Sequence, residues 1–316
     1  SPATAATFGR VALPEMLKRN YSPSFASGCI AAGGTLGSLI PPSVIMIIYA
    51  VMAEEFIVEM FIAAVIPAAV EIVLYLITIQ IYVRVRPAAG PAGPRMSWAD
   101  RLKTLRKAWK SLVIGLAVIG GIYGGVFTVN EAAAVGVVLS FAFVLAGRKL
   151  TWEKFWDALS GTATTTAMIY LIIIGANVFT YFVSVSRMPA FLVSTIADFA
   201  IPDPMILLVL IIVYLVLGSI FDTLAAMLIT LPFVLPVITG MGYSPVWWGI
   251  VNIVIIETGM ITPPIGLNVF VLHGVAKVPL NVIYRGTMPF VLADFVRIAL
   301  LMMFPAMALW LPSVMR

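Results

Sequence analysis

The sequence is poor in the residues that do chemistry in water. Among 316 residues there is one cysteine, Cys29, and one histidine, His273. A single thiol excludes an internal disulfide and any multi-cysteine metal site, and a lone imidazole removes most zinc and triad chemistries. No HExxH or GxSxG segment occurs either, so nothing supplies the general base that an intramembrane enzyme needs. Charge is just as scarce: Asp, Glu, Lys and Arg make up 10% of the chain, against about a quarter in a water-soluble domain. Such a chain cannot cover itself with polar groups. What it has instead is 62% hydrophobic residues and a mean hydropathy of +1.09. Its 24 Gly and 21 Pro are scattered through apolar runs, which excludes a collagen-like or disordered chain and suits membrane helices. The fold class is an all-α polytopic membrane protein. Lacking an initiator Met and a signal-like start, the chain reads as the C-terminal part of something longer.

About 20 apolar residues cross the hydrocarbon. Seven stretches qualify: Phe25 to Ala53, Ile57 to Val83, Ser111 to Phe127, Glu131 to Ala146, Ser160 to Ser184, Trp247 to Ala276 and Thr287 to Leu311. A further apolar block, Pro204 to Gly240, is interrupted only by Asp222 and reads as two spans or one re-entrant hairpin; Ser1 to Leu13 looks like half of a similar element. Basic residues set the orientation, because Lys and Arg in short loops stay cytoplasmic. The connector holding Arg84, Arg86, Arg95, Arg101, Lys103, Arg106, Lys107 and Lys110 is therefore inside. Counting crossings from it puts Arg10, Lys18, Arg19, Arg148, Lys149, Lys154, Lys277 and Arg285 inside too, and Glu54, Glu55, Asp198 and Asp203 outside, with Arg187 the exception. Two amphipathic connectors, around Trp98 to Trp109 and Trp152 to Leu159, are expected as separate helices on the inner leaflet.

Two segments of the chain align without gaps. Tyr21-Ser22-Pro23 matches Tyr243-Ser244-Pro245, Pro41-Pro42 matches Pro263-Pro264, Leu13-Pro14 matches Leu235-Pro236, and Gly37 matches Gly259, all 222 positions apart. An odd number of crossings separates the copies, so they are expected to run in opposite directions: an inverted-topology repeat. In each copy Gly and Pro-Pro fall inside a stretch long enough to cross, as GGTLGSLIPPS and ETGMITPPIG. Proline removes backbone donors and disfavours helix before it, so two broken membrane helices are expected, with Pro41, Pro42, Pro263 and Pro264 as the structural breaks. The freed carbonyls and amides cannot be left to lipid. Broken helices at corresponding places in two inverted halves point to a transporter's binding site, with carbonyls and hydroxyls for a cation and half-helix N-termini for an anion. Charged groups inside the apolar runs carry the same sense. Asp222 reads as a cation ligand or a hairpin-tip cap. Glu257 reads as a structural ion pair or a proton-sensitive group. Asp294 and Arg297, three apart, read as an internal salt bridge. Glu71 has no evident partner, and His273 reads as a polar interface residue.

The runs SPATAATFGRVALPEM, AAGGTLGSLIPPS and NIVIIETGMITPPIGLNVFV resemble the large membrane subunit of tripartite ATP-independent periplasmic (TRAP) transporters, and the resemblance covers essentially the whole chain. It implies an elevator-type, sodium-coupled importer of small organic anions in the bacterial inner membrane, working with a small membrane subunit and a periplasmic solute-binding protein, with sodium as coupling ion and no other cofactor. Residues 1–84 and 201–316 would form the transport domain, 85–110 a basic cytoplasmic loop, and 111–200 the scaffold. Carried over by position, Ser1, Thr4, Gly33, Thr35, Gly37 and Ser38 would form one sodium site, and Asp222, Thr223, Gly259 and Thr262 the other. Ser1, Pro2, Gly34, Thr223, Pro41 and Pro264 would face the solute between the two tips. The alternatives are a sodium/carboxylate symporter of the wider ion-transporter superfamily that needs no binding protein, and an ion channel, against which the polar intramembrane residues are few and localised.

Overall fold

A computed structural model describes residues 2–93, 97–148, 150–199 and 201–315. Ser1, Arg95 and Lys149, to which the sequence assigns roles, lie outside them. All regular structure described is helical, and the chain divides into two compact units, Ser1–Ala92 with Val178–Arg316, and Gly93–Asn177. Six helices are long and apolar enough to cross a membrane, and one further bent helix pair passes the same test as a broken span.

The larger unit contains α1 (Pro2–Lys18), α2 (Pro23–Gly33), α3 (Leu36–Leu39), α4 (Val44–Met52) and α5 (Ile57–Val85) in its first stretch. The smaller unit contains α6 (Trp98–Lys107), α7 (Trp109–Tyr123), α8 (Val129–Ala146) and most of α9 (Trp152–Val185). A reciprocal capping box of Thr128 and Glu131 opens α8, satisfying two amides that a helix start would leave free. The larger unit resumes with α10 (Met188–Asp198), α11 (Asp203–Ile220), α12 (Thr223–Gly240), α13 (Pro245–Gly259), α14 (Leu267–Ala276), α15 (Leu280–Met303) and α16 (Ala306–Met315).

The sequence repeat is also a repeat of elements. Shifted by 222 positions, α1 starts one residue after α12 and ends with it, and the starts of α2, α4 and α5 fall on or one residue before those of α13, α14 and α15. Both α2 and α13 begin with a Ser N-cap followed by Pro at the first helical position, where its missing N–H costs nothing. The rings before and inside that turn stack in both copies: Tyr21 on Phe25 and Tyr243 on Trp247. Contacts between the copies come in exchanged pairs: α1 touches α14 and α12 touches α4; α2 touches α15 and α13 touches α5.

Close backbone approach holds this unit together. A Cβ on Gly28 of α2 would overlap the Gly286 carbonyl of α15, and one on Gly286 would overlap the Ser24 carbonyl. Small residues at crossings are how membrane helices gain dispersion contact in a solvent that offers no hydrophobic drive. Trp247 and Trp248 are fully buried, the former donating its indole N–H to the Leu301 carbonyl at 3.0 Å.

Three boundaries differ from expectation. Trp152 to Leu159 is not a separate helix but the first turns of the 34-residue α9: no Gly or Pro interrupts the run before Gly161, so polarity changes while the helix continues. The last expected span, Thr287 to Leu311, begins at Leu280 and stops at Met303, because Pro305 cannot donate to the helix and disfavours it one residue earlier. Beyond Pro305 the chain turns helical again as the separate α16.

Candidate functional site

The first break begins where α2 ends at Gly33. The chain makes the single turn α3, bends through Ile40, Pro41 and Pro42, with Ile40 and Ser43 extended, and restarts as α4, bent 43° from the preceding helices. The Ser43 hydroxyl caps α4 by accepting from the Met46 amide at 3.4 Å. The second break runs from Met260 to Gly266, between α13 and α14. Gly266 adopts φ +58°, a left-handed conformation that glycine takes without steric penalty, and its amide donates to the Ser219 carbonyl at the end of α11 at 2.8 Å. Both diproline bonds are cis. The freed carbonyls here meet side chains of α15: the Tyr284 hydroxyl lies 2.5 Å from Ile265 O and 3.1 Å from Pro264 O, and the Thr287 hydroxyl donates to Ile261 O at 3.1 Å. Backbone freed by proline is thus satisfied by protein rather than left facing lipid.

Each break is packed by the start of a neighbouring helix. Gly37 lies so near α1 that a Cβ there would sit 3.0 Å from Thr4 Oγ1, and one on Gly34 would sit 3.0 Å from the Ala5 methyl. On the other side Thr223, first residue of α12, donates from its hydroxyl to Met260 Sδ at 3.0 Å. Asp222 is the N-cap of α12 and accepts from the Leu224 amide at 3.0 Å, with its side chain exposed. Cap is therefore the role of Asp222 visible in the structure. Asn268 of α14 reaches across to α2, its side-chain amide 3.3 Å from the Ala31 carbonyl.

Beneath the first break lies a buried ionic network. Arg297 of α15 is salt-bridged to Glu71 of α5 and, at 3.0 Å, to Asp294 one turn before it; all three are 0–1% exposed. Tyr75, one turn after Glu71, donates to Asp294 Oδ2 at 2.9 Å. The Thr35 hydroxyl donates to the Ala32 carbonyl at 2.6 Å and lies 3.2 Å from Glu71 Oε1 and 3.3 Å from the Tyr75 hydroxyl. Thr35 thus ties the break to the network. Glu257 is different. It is fully buried against the Ser38 hydroxyl, but neither group reaches hydrogen-bond geometry, and Glu257 has no ion pair among the described residues. His273 closes the turn after α14, with Nδ1 2.7 Å from the Val278 carbonyl.

The residues named from sequence fall into two groups. Pro2, Thr4, Gly33, Gly34, Thr35, Gly37, Ser38, Pro41 and Pro42 belong to α1 and the first break; Asp222, Thr223, Gly259, Thr262, Pro263 and Pro264 belong to α12 and the second. Thr262 is half-buried and its hydroxyl donates to the Thr258 carbonyl at 2.6 Å. Sequence reasoning misses Tyr75, Asn268, Tyr284 and Thr287. Part of their signal is present: Glu71 with Tyr75, and Tyr284 with Thr287, are polar pairs at helical spacing inside apolar runs. No group of three or more His, Cys, Asp or Glu suited to a metal ion occurs among the described residues.

Residues 1–307 match the tripartite ATP-independent periplasmic transporter family, DctM component. The chain is 34% identical to the C4-dicarboxylate TRAP transporter large permease protein DctM of Pseudomonas aeruginosa, over 99% of this chain and 73% of that protein. It is 32% identical to the sialic acid TRAP transporter large permease protein SiaM of Vibrio cholerae, over 98% and 73%. It is 33% identical to the ectoine/5-hydroxyectoine TRAP transporter large permease protein UehC of Ruegeria pomeroyi, over 98% and 72%.

Proposed function

The chain belongs to the DctM component family of tripartite ATP-independent periplasmic transporters, and on that premise we propose that it carries small organic anions into the cell by coupling them to sodium. It is a multi-pass permease of the bacterial inner membrane, not an enzyme. In this reading a periplasmic solute-binding protein delivers the anion and a small membrane subunit completes the transporter. The substrates in its relatives' names range from C4-dicarboxylates to sialic acid to ectoine, so membership alone fixes no solute for this chain.

The observation that carries the reading is that each proline break is packed by the first residues of another helix, Thr4 beside Gly37 and Thr223 on Met260. Oxygen-rich unwound backbone suits a hard cation, and the half-helix N-termini of α4 and α14 suit an anion. Ser1, Thr4, Gly33, Thr35, Gly37 and Ser38 would serve one sodium ion, and Asp222, Thr223, Gly259 and Thr262 a second. The solute would lie between the tips against Ser1, Pro2, Gly34, Pro41, Thr223 and Pro264. Exchanged contacts such as α1 with α14 and α12 with α4 support a two-fold relation between the halves, since each surface meets its counterpart's partner. With the basic loops inside, that relation makes the halves inverted in the membrane. The transport domain would comprise 1–84 and 201–316, 85–110 would be a cytoplasmic loop, 111–200 would be the scaffold, and transport would be of the elevator type.

Coupling requires that sodium favour one state, because a ligand shifts an equilibrium only by its differential affinity. Sodium at a break would fix that break against its tip, completing the anion site only when the cation is present. The test is uptake into vesicles carrying the full transporter, supplied with its binding protein and the solute that protein retains. Saturable uptake driven by an inward sodium gradient and abolished when potassium replaces sodium is expected. Uptake that ignores sodium would refute the coupling; uptake without the binding protein would favour a free-standing symporter.

A further inference from the structure

Away from both breaks, α5 and α15 form a groove of about 550 Å³ whose walls carry matching stripes. On α5 it is lined by Leu74, Ile77, Ile81 and Val85, ending in Arg86; on α15 by Met288, Leu292 and Val296, beginning at Arg285. Both stripes follow helical spacing, and Ile77, Ile81, Val85, Met288, Leu292 and Val296 are each 43–73% exposed. The two arginines stand at the same end because α5 finishes where α15 starts.

We propose that this groove binds an anionic diacyl phospholipid of the cytoplasmic leaflet. Its length fits: the eleven steps from Arg285 to Val296 rise about 16 Å, close to the roughly 15 Å depth of one hydrocarbon leaflet. Its charge fits: no carboxylate lines the groove, and among the described residues neither Arg86 nor Arg285 has a carboxylate within 4 Å. The Arg86 guanidinium instead lies 5.7 Å from the Tyr82 ring centroid, held at the mouth beside Thr78 and Tyr82, which add hydroxyls to the lining. Its side fits as well, since both arginines fall on the cytoplasmic side by the loop-charge count, where anionic headgroups attract basic residues. Two guanidiniums match a phosphate, and the aliphatic stripes match the chains below it.

The test titrates the full transporter, in a neutral detergent, with dioleoyl phosphatidylglycerol, with phosphatidylcholine of the same chains and with inorganic phosphate, reading thermal stability and bound lipid by native mass spectrometry. Phosphatidylglycerol alone is expected to bind and to stabilise. The pair Arg86→Gln with Arg285→Gln should raise its half-saturating concentration roughly tenfold or more, as two basic side chains facing an anionic lipid require. Arg86→Lys with Arg285→Lys should keep much of the binding, and Lys103→Gln, outside the groove, should change nothing. Leu292→Trp, which leaves both arginines in place but fills the groove, should weaken binding and decides the matter if the double glutamine variant does not fold. Equal binding of phosphatidylcholine, an equal effect of free phosphate, or unchanged titration in the Leu292→Trp chain would overturn the proposal.

Discussion

Arg297 meets two carboxylates, Glu71 and Asp294, while Glu257 meets no cation among the described residues, and the two situations predict opposite responses to mutation. Removing one member of a buried ion pair strands the other, at about 3 kcal/mol or more. Replacing an unpaired buried carboxylate with its neutral isostere removes only a desolvation cost. Glu71→Ala should therefore lower the melting temperature of the purified transporter, and Glu257→Gln should leave it equal or higher. A Glu257→Gln chain as damaged as Glu71→Ala would show that Glu257 holds a partner after all. Part of this is legible in the sequence. Asp294 and Arg297 are one helical turn apart, so spacing alone pairs them. Glu71 is paired across 226 positions, and no local pattern reveals which of the chain's cations folds back to it. Thr35 illustrates the same limit: sequence places it in the break, but its contacts with Glu71 and Tyr75 depend on how α5 packs.

At the scale of elements proline ends some helices and is carried inside others. Pro41-Pro42 and Pro263-Pro264 end helices, whereas Pro14, Pro67, Pro232, Pro236, Pro289 and Pro312 lie inside them. At the two diprolines a second proline with glycine nearby makes the break, because two lost amides are harder to tolerate than one, while at Pro305 a single proline already ends α15. The starts of α9 and α15 escape sequence reasoning for a related reason: an apolar window finds the membrane-crossing part of a helix, not where its hydrogen bonds begin. The repeat itself predicts orientation. With Cys29 replaced by Ser, single cysteines introduced as Asn20→Cys, between α1 and α2, and Met241→Cys, after α12, occupy nearly equivalent places in the two copies. A membrane-impermeant maleimide applied to whole cells stripped of outer membrane should label the second and spare the first. Labelling of both from the same side would make the repeat parallel.

At the largest scale, the two stretches related by the 222-residue offset exchange contacts within the larger unit, α1 with α14 and α12 with α4, α2 with α15 and α13 with α5. Composition and the 222-residue offset make the membrane setting and the duplication legible; the swap of partners is not, since it arises only from tertiary packing. In the proposed function both breaks act as oxygen-lined cation sites for one coupled import step. Its most direct test is the initial uptake rate against sodium concentration in vesicles carrying the full transporter, for the native chain and for Ser38→Ala and Thr262→Ala, one hydroxyl from each break. Each variant is expected to insert normally but to need roughly tenfold more sodium for half-maximal uptake, as loss of one charge-assisted oxygen contact of about 1.5 kcal/mol implies. Sodium curves that superimpose on the native one for both variants would contradict it.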